Sequence, residues 1–471
     1  MSPVEPSVPA RMSRIAIVAP EPSLRDALAA VADAGVVQLV GTLPAPEGEE
    51  LEALRRLERA AADNGRGGPR LALRAVDPAE LERLERHDLL AGEVELGRHV
   101  DAAIRHGRFA AVVGWTPQAE VEGLEQRLAP HGAGLIELPR PAWVEPPTLL
   151  PESRAVRPFR PLVDTYGALR YADVDPTPFA ALSFVVMFGM MFGDVGQGLM
   201  LAGLGAVLSQ ARRGRFAPFR NLWPFPVAAG LAATFFGFLY GEFFGPTGVV
   251  PTIWVKPTED PIVLLAAAVA VGGVLLAISY GIGIVNRWRE GGPAAALTAP
   301  SGIAGLLIFL GLGLAAWGWY VESVALGVLG GVLALAGALL LGAGFHAEAG
   351  RGAAAATQAT IEVVDSLIRV VANVISFTRL AAFGLMHAAL AGVVWDATTA
   401  LWGGAVGSVL AVVTFVVGNA LTFALEALVA AVQALRLEYY ELFSRIFAGE
   451  GQRFTPWHIP LDTRMEAAWK P

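Results

Sequence analysis

Two long apolar stretches near the C-terminal end, residues 360–394 and 401–435, carry ionisable and polar side chains. The residues of interest in and just beyond them are Asp365, Arg379, His387, Glu426, Gln433 and Arg436. Ionisable groups are costly in hydrocarbon and usually face a water-filled cavity, a partner or an ion path. Carboxylates, an imidazole and guanidinium groups in such places indicate chemistry based on moving protons or other ions through a membrane.

Arg379 is flanked by apolar neighbours that include Val374, Phe377 and Leu380, so we expect it to lie deep in the apolar zone. A guanidinium stays protonated at any physiological pH. It can attract a mobile carboxylate but cannot relay a proton itself, which suits a fixed charge between two water-filled half-channels. The alternative is a structural arginine paired with an acid on the neighbouring stretch, Glu426 or Glu438. The residues alone leave both interpretations open.

The spacing of these residues predicts stripes along two helices. At 100° per residue, Asp365 and Arg379 fall within about 40° of one helix face and about 21 Å apart along the axis. An acid and a base at different depths on one face indicate a path rather than a contact pair. Glu426 and Gln433 are nearly eclipsed, and Arg436 lies one turn further. Together they predict a polar stripe that ends in a second cation and that can hold water or an acid beside Arg379.

Two further residues are candidates for a wet site. Asp194 lies in Phe192-Gly193-Asp194-Val195-Gly196-Gln197-Gly198, a glycine-rich interruption of the apolar stretch 179–208. Backbone exposed at such a break needs water or a partner, so we expect a hydrated site there. His387 lies eight residues, or about 12 Å, beyond Arg379 on a helix. Its residue type alone favours a packing role.

The composition sets the class of protein that must position these residues. The chain has 471 residues, 35 Lys and Arg against 43 Asp and Glu, and a net charge of −8. Charged residues make up 17% of the chain and the mean hydropathy is +0.51, whereas soluble proteins carry about 25% charged residues. The charge is concentrated before residue 176, and residues 176–448 are mostly apolar. The sequence therefore predicts an integral membrane protein with a polar N-terminal domain.

Several kinds of site are excluded or not indicated by the residue types. There is no cysteine, which excludes disulfides, thiol nucleophiles and iron–sulfur clusters. Lysine occurs only at Lys256 and Lys470, so ATP hydrolysis through a G-x-x-x-x-G-K-[ST] loop is excluded. No metal site or cofactor is predicted. His87, His99 and His106 fall in a charged helical stretch, where we expect them to be solvated.

A helix needs about 20 apolar residues to cross the bilayer. The candidate stretches are residues 179–208, 222–244, 262–285, 303–320, 324–345, 360–394 and 401–435. Loops rich in arginine tend to stay cytoplasmic. Two crossings by the first stretch put every arginine-bearing loop inside, namely those of Arg212, Arg213, Arg215, Arg287, Arg289, Arg351, Arg445 and Arg453. The sequence thus predicts eight spans with both termini cytoplasmic.

The N-terminal part predicts a small α+β lobe. Strands are expected at residues 14–18, 36–40, 108–114 and 134–138, and helices at 21–34 and 117–128. Two charged helical segments, 49–63 and 78–106, predict a short antiparallel arm; the second opens with the helix-start signal Asp77-Pro78-Ala79-Glu80. No secretory signal precedes Met12. The expected domains are a cytoplasmic lobe with arm (1–145), a linker (146–177), a membrane domain (178–446) and a cytoplasmic tail (447–471).

A series of motifs carries a family resemblance. They are Pro146-Pro147-Thr148-Leu149-Leu150, Arg157-Pro158-Phe159, Asp175-Pro176-Thr177-Pro178-Phe179, Phe188-Gly189-Met190-Met191-Phe192-Gly193-Asp194, Phe238-Leu239-Tyr240-Gly241, Ile375-Ser376-Phe377-Thr378-Arg379-Leu380, Ala434-Leu435-Arg436-Leu437 and Phe454-Thr455-Pro456. In order and spacing over about residues 145–457, the chain resembles the membrane a subunit of rotary V-type and A-type ATPases, the 116 kDa-subunit family, called subunit I in bacteria and archaea.

The resemblance implies a role for each candidate residue. Arg379 matches the family's essential arginine, which faces the proton-carrying carboxylates of the rotating proteolipid ring, and Arg436 matches its neighbour. Asp365 and Ser366 match the cytoplasmic half-channel. The residues that match the outer half-channel are Asp194, His387, Glu426 and Gln433. The implied fold has eight spans, the last two long and tilted, in a bacterial or archaeal plasma membrane. The implied partners are the ring, the peripheral stalk and the central stalk, with no nucleic acid.

The sequence also departs from the family pattern. The cytoplasmic half of the family is usually much longer, with two lobes joined by a long coiled coil, so the resemblance implies a shortened domain without the distal lobe. The arm is then either a stalk-docking element or a solvated hairpin. Gln433 stands where some relatives have histidine, and Arg369 adds a cation. A stand-alone ion channel or secondary transporter, and an anchoring protein, remain alternatives to the rotary stator.

Overall fold

The computed structural model describes residues 9–46, 48–60, 68–141, 144–150, 156–211, 215–350, 353–447 and 451–462. The described residues form two compact units: an N-terminal unit within residues 9–150, 169–171 and 451–462, and a membrane unit within residues 156–168 and 172–447. Arg212, Arg213 and Arg351, which entered the orientation argument, lie outside the described residues, as do the last three residues of the predicted arm segment 49–63. The predicted domain boundaries at 145, 177 and 446 stay predictions.

The N-terminal unit is built on an antiparallel sheet. Its strands are β1 (Met12–Pro20), β2 (Gln38–Leu39), β3 (Ile104–His106), β4 (Phe109–Pro117) and β5 (Gly134–Glu137). The order is β2-β4-β1-β5, and β3 also pairs with β4. The central pair runs in register from Met12 opposite Pro117 to Pro20 opposite Phe109. Alternate residues of β1, such as Ile15 and Ile17, are fully buried, as expected when one face of a sheet is covered.

Helices supply the rest of the core of this unit. Helix α1 (Leu24–Ala34) buries Leu24, Leu28 and Val31 and ends at Gly35, whose φ of 60° is the left-handed conformation that glycine favours. Leu124 and Leu128 of α5 (Val121–Leu128) join the same core, where the sequence predicted a helix over 117–128. The small N-terminal α/β region expected from the sequence is therefore confirmed.

The arm consists of three helices. They are α2 (Glu49–Ala60), α3 (Pro78–Arg83) and α4 (His87–Asp101). They share a small apolar cluster of Ala53, Leu57, Ala72, Leu81, Leu89 and Leu90. The Asp77 side chain caps α3 by accepting from the Ala79 N–H at 2.9 Å, as its helix-start signal predicted. The single helix expected over 78–106 is instead two helices and a strand, because Glu85 takes a left-handed conformation (φ 52°) that ends α3.

Residues 451–462 complete the N-terminal unit from the other end of the chain. The Trp457 N–H donates to the Val37 carbonyl at 2.8 Å, and the Ile459 N–H donates to the Ala32 carbonyl at 3.1 Å. Ile459 is part of the hydrophobic core of this unit. The Trp457 ring also packs against His99 in a tilted arrangement, with ring centroids 4.3 Å apart. The expectation that His99 is solvated was wrong, since it is only 8% exposed.

The membrane unit is helical. Its helices are α6 (Arg160–Tyr166), α7 (Thr177–Met191), α8 (Val195–Ser209), α9 (Pro224–Tyr240), α10 (Pro261–Thr298), α11 (Ile303–Tyr320), α12 (Val324–Ala349), α13 (Ala353–Ser376), α14 (Thr378–Ala400), α15 (Gly404–Leu437) and α16 (Ser444–Ile446). Among the described residues, five helical segments are long and apolar enough to cross a membrane. These segments confirm a polytopic helical membrane protein.

Three apolar helices are shorter. Helices α7, α8 and α9 have 15, 15 and 17 residues, or roughly 23–26 Å at about 1.5 Å per residue, against about 30 Å of hydrocarbon. Helices α7 and α8 are separated at Asp194, where the sequence predicted an interruption. With the five long segments they make eight apolar segments in the described part of the chain, but a count of eight spans stays a prediction.

Candidate functional site

A first polar site lies where α14 begins and α15 ends. Arg379 is the second residue of α14, directly after the break at Phe377, and Arg436 is in the last turn of α15. Both line a groove of about 510 Å³ together with Ser376 and Glu441. We call this the arginine groove. The structure therefore brings together the two cations that the sequence singled out.

Close packing of Phe377 against α10 positions Arg379. The Phe377 side chain is fully buried, and its ring occupies the space beside Gly272 of α10. A Cβ atom at Gly272 would lie only 2.1 Å from Cγ of Phe377. Only glycine allows the two elements to approach this closely, so the residue that fixes the start of α14 depends on a glycine in another helix.

The acid in the arginine groove is Glu441, which the sequence analysis did not single out. It belongs to a π-helical turn, Glu438–Phe443, that follows α15. The charges of Arg379 and Arg436 act on Glu441, and Ser376 is within hydrogen-bonding reach of it. A π turn places more residues per turn than an α-helix and so shifts which side chains face a neighbour. The 3.6-residue period of an α-helix, applied to the sequence, could not have revealed that Glu441 lies in the arginine groove.

The acids expected to pair with Arg379 have other partners. Glu426 pairs with His387, and Glu438 accepts a hydrogen bond from Ser183 at 3.4 Å. In the described part of the chain, Arg379 Nη1, Gln433 Oε1 and Glu441 Oε2 are buried without a hydrogen-bond partner. Buried polar atoms rarely stay unpaired, so these atoms favour contact with water or with an incoming group.

One side of the arginine groove is open at the surface of the membrane unit. The Arg436 side chain is exposed, and Tyr440, another residue of the groove lining, is 71% exposed. Exposed apolar residues continue along the neighbouring helices, including Ile375 of α13 and Leu428 and Val432 of α15. A second helix carrying an acid would therefore find an apolar surface with two guanidinium groups at its edge.

A second polar site lies further along the same two helices. His387 of α14 and Glu426 of α15 form a buried ion pair through Nδ1 and Oε2, and the Phe192 ring packs on His387 with centroids 5.1 Å apart. On an α-helix, His387 lies about 12 Å from Arg379, and Glu426 lies about 10 Å from Gln433. Helices α14 and α15 thus hold two polar sites at different depths.

Asp194 belongs to this second site. It is fully buried and accepts from the N–H groups of Gln197 at 2.8 Å and of Gly245 at 2.9 Å, which caps α8 and fixes the loop that follows α9. Gln197 also donates to Asn419 of α15 at 3.3 Å. The charges of Asp194 and Glu242 both act on His387. Three predicted residues, Asp194, His387 and Glu426, therefore lie in one cluster.

Gln197, Glu242 and Asn419 complete this cluster and were missed in the sequence. Gln197 was visible in the glycine-rich interruption, but Glu242 and Asn419 gave no signal of their own. In the described residues, His387 Nε2, Glu426 Oε1 and Glu242 Oε2 are buried without hydrogen-bond partners. These unpaired polar atoms can form hydrogen bonds with water, as expected for a hydrated site.

Asp365 and Ser366 lie apart from both sites. Asp365 forms an ion pair with Arg369 one turn further along α13, at 2.5 Å, and both side chains are partly exposed. Neither Asp365 nor Ser366 is among the described residues that line the arginine groove. Asp365 belongs to α13 and Arg379 to α14, and Phe377 alone separates these two helices.

Within the described ranges, no three His, Asp or Glu side chains are grouped so that they could hold a metal ion. The side chains described at the two sites include carboxylates, one imidazole, amides and two guanidinium groups. Such groups can bind and transfer protons or hold water, and the guanidinium groups can stabilise an anionic partner.

Comparisons with known proteins agree with this picture. The model of the V-type ATPase 116kDa subunit family matches residues 104–289 and 351–459, together more than half of the chain. The A-type ATP synthase subunit I of Pyrococcus horikoshii is 27% identical over 397 residues, which cover 78% of this chain and 57% of the relative. That of Methanocaldococcus jannaschii is 26% identical over 454 residues, with 87% and 64% covered.

A bacterial relative is similar over a shorter range. The V-type ATP synthase subunit I 2 of Treponema pallidum is 32% identical over 187 residues, which cover 38% of this chain and 41% of the relative. The chain spans little more than half the length of the archaeal relatives. Since the family model covers both the segment that contains Asp194 and the segment that contains Arg379 and Arg436, the chain belongs to the V-type ATPase 116 kDa subunit family.

Proposed function

We propose that this protein is the membrane stator subunit of a V/A-type rotary ATPase and that it forms two proton half-channels against a proteolipid ring. It does not hydrolyse ATP itself. Arg379 faces the ring carboxylates and blocks direct passage between the half-channels, with Arg436 beside it. Asp194, His387, Glu426 and Gln433 line the outer route, and Asp365 and Ser366 belong to the cytoplasmic route.

The arginine groove is the observation that carries this proposal. A ring carboxylate that reaches the open side of the groove meets two guanidinium groups, which favour its ionised form and so the release of its proton. Arg379 keeps its own proton and cannot pass one across. Because each elementary charge moved is worth about 2.3 kcal/mol per 100 mV, a leak at this point would waste the energy of the gradient.

The cluster around His387 supports the outer route. It is buried and contains an imidazole, three carboxylates and unpaired polar atoms, so it can carry water and protons. It lies about 12 Å along α14 from Arg379, on the side opposite to α13. Gln433 is positioned between the cluster and the groove. A buried polar cluster that ends at a fixed cation is what an outer half-channel with no direct connection to the cytoplasmic route requires.

The N-terminal unit contains segments from before and after the membrane helices, which supports the proposed topology. Segments within residues 9–150 and 451–462 fold together, which supports an even number of membrane crossings between them. An even number favours eight spans over five or seven and puts both termini on one side, which the arginine-bearing loops favour as the cytoplasmic side. The proposed partners are the proteolipid ring, the peripheral stalk and the central stalk. The names of the similar proteins, all subunit I of A-type or V-type ATP synthases, support this assignment.

The test replaces Arg379 by Gln in the complex purified from the native host. We expect ATP-driven proton pumping into vesicles to be abolished while the subunit composition stays normal. Arg289→Gln, at an exposed arginine on α10, is the matched control and should pump normally. Pumping by assembled Arg379→Gln complexes would refute the role. Proton flux through the purified chain alone in liposomes would instead favour a stand-alone channel.

A further inference from the structure

A second groove of the membrane unit has no place in proton transfer. It has a volume of about 890 Å³ and lies between α6, the end of α8, the segment that leads into α9, and the end of α15. We call it the lateral groove. Pockets that hold small ligands have volumes of about 300–1,000 Å³, so the lateral groove is large enough for a sizeable apolar ligand.

The lining of the lateral groove is almost entirely apolar. Fourteen of its sixteen residues are apolar, among them Leu204, Leu208, Phe219 and Leu435. One of the other two, Thr165, donates its hydroxyl to the Pro161 carbonyl at 2.7 Å and so presents little polarity to the groove. Such a lining suits hydrocarbon and offers few hydrogen bonds to a polar ligand.

Aromatic residues place the groove at the membrane surface. Phe216, Phe219 and Trp223 belong to the segment that leads into α9 and are 63%, 54% and 41% exposed. Trp223 has an amphipathic ring of the kind enriched at the boundary between hydrocarbon and headgroups, and Phe216 and Phe219 lie within seven residues of it. The opening of the groove is therefore at the depth where the acyl chain of a lipid joins its headgroup.

The rim of the groove carries positive charge. Arg215 and Arg220, both exposed, flank the lining residues Phe216 and Phe219, and the segment 215–223 contains no acid. On α6, the acid next to the groove, Asp164, already pairs with Arg160 at 3.7 Å. The apolar groove thus opens beside two arginines, a combination that complements an anionic headgroup joined to a hydrocarbon chain.

We propose that the lateral groove binds an anionic phospholipid from the surrounding leaflet. One acyl chain occupies the groove, and the phosphate lies at Arg215 and Arg220. Leu435 and Tyr439 line both this groove and the arginine groove, so the bound acyl chain packs against the back of the arginine groove. The lipid would thereby close that side of the arginine groove to water. Lipid binding itself does not depend on proton transport.

The experiment uses the full chain in nanodiscs that contain trace phosphatidylglycerol or phosphatidylcholine with a photoreactive diazirine on one acyl chain. Crosslinked residues are mapped by mass spectrometry. We expect the phosphatidylglycerol probe to label Leu208, Phe219 and Leu435 at least threefold more than Leu339, which is an exposed residue of α12. Ala211→Trp fills the groove and should remove this labelling. Ala206→Trp, on the exposed face of α8 outside the groove lining, should not.

The headgroup is tested by neutralising the rim. Arg215→Gln with Arg220→Gln should lower the ratio of phosphatidylglycerol to phosphatidylcholine labelling by about threefold or more, since each arginine near a headgroup favours an anionic lipid. Arg289→Gln should leave the ratio unchanged. The proposal is overturned if both probes label the groove equally or if Ala211→Trp labels like the parent chain. Protection of the groove by another subunit in the purified complex would also overturn it.

Discussion

The contact between Gly272 and Phe377 gives the sharpest test of how Arg379 is held. A Cβ atom at Gly272 would lie 2.1 Å from Phe377 Cγ, whereas ordinary contacts begin at 3.4 Å. In the variant Gly272→Ala, therefore, the Phe377 ring or α10 must retreat by more than 1 Å. Overpacking of this kind costs about 1–3 kcal/mol. Because Arg379 follows two residues later, its guanidinium must move with the start of α14.

We expect Gly272→Ala to lower ATP-driven pumping per assembled complex by about 100-fold, the effect of misplacing a functional group by about 1 Å. The assay is acidification of vesicles that contain the purified complex, normalised to the content of ring and stator subunits. Gly273→Ala is the matched control, because its Cβ would meet only Phe309 Cζ at 3.9 Å. Replacing glycine by alanine favours the helix by about 1 kcal/mol in both variants, so the difference in pumping between them reports the clash with Phe377.

A compensating change separates misplacement from general damage. Phe377→Ala removes Cγ and Cδ1, which a Cβ atom at Gly272 would meet at 2.1 and 2.5 Å, and should restore part of the pumping in the Gly272→Ala background. If Gly272→Ala pumps at the parent rate in a normally assembled complex, Phe377 does not position Arg379 and the reasoning fails.

Three further predictions concern other charged and polar groups. Glu441→Gln should lower pumping about tenfold without loss of assembly, because it removes the acid that lines the arginine groove in the described part of the chain; unchanged vesicle acidification would contradict this. His387→Leu or Glu426→Leu alone should lower the free energy of unfolding of the purified chain by about 3–5 kcal/mol, since each leaves a buried charge unpaired, whereas the double variant should lower it much less. If the loss measured by thermal unfolding of the double variant equals the sum of the two single losses, His387 and Glu426 do not stabilise each other. Burial, with a smaller effect of the Arg98 charge, lowers the His99 pKa to about 4. Below pH 6.5 the unfolded chain takes up a proton that the folded unit excludes. The free energy of unfolding of the N-terminal unit should therefore fall by about 2 kcal/mol between about pH 7 and pH 5. Hydrogen exchange of the sheet should show this loss in the parent chain and a weaker one in His99→Leu.

The sequence predicted the parts of the fold that have strong local signals. Apolar length identified the long helices, and short apolar runs identified β1 and β4. The interruption at Asp194 was visible because glycines and an acid stood inside an apolar stretch. The arm was predicted less well, because the left-handed conformation of Glu85 leaves no mark in the helical periodicity.

The candidate site was predicted to the extent that its residues were anomalous in their surroundings. Arg379, His387 and Glu426 stood out as polar residues in apolar stretches, and the last two form a pair that spacing alone could not assign. Glu441 was missed because its position depends on a π turn, and Glu242 because a loop brings it to the cluster. Long-range contacts of this kind are set by tertiary packing, which a single sequence does not encode in any local pattern.

The fold of the N-terminal unit also sets an order of events during synthesis. Its core includes Ile459, and its sheet and first helix receive hydrogen bonds from Trp457 and Ile459, so the unit stays incomplete until the ribosome has made all the membrane helices. Until then, part of the apolar surface around α1 remains uncovered. A chain that stops before residue 451, or inserts its last helix the wrong way round, keeps this surface exposed. Exposure of this apolar surface thus distinguishes a chain whose insertion is incomplete from a finished one.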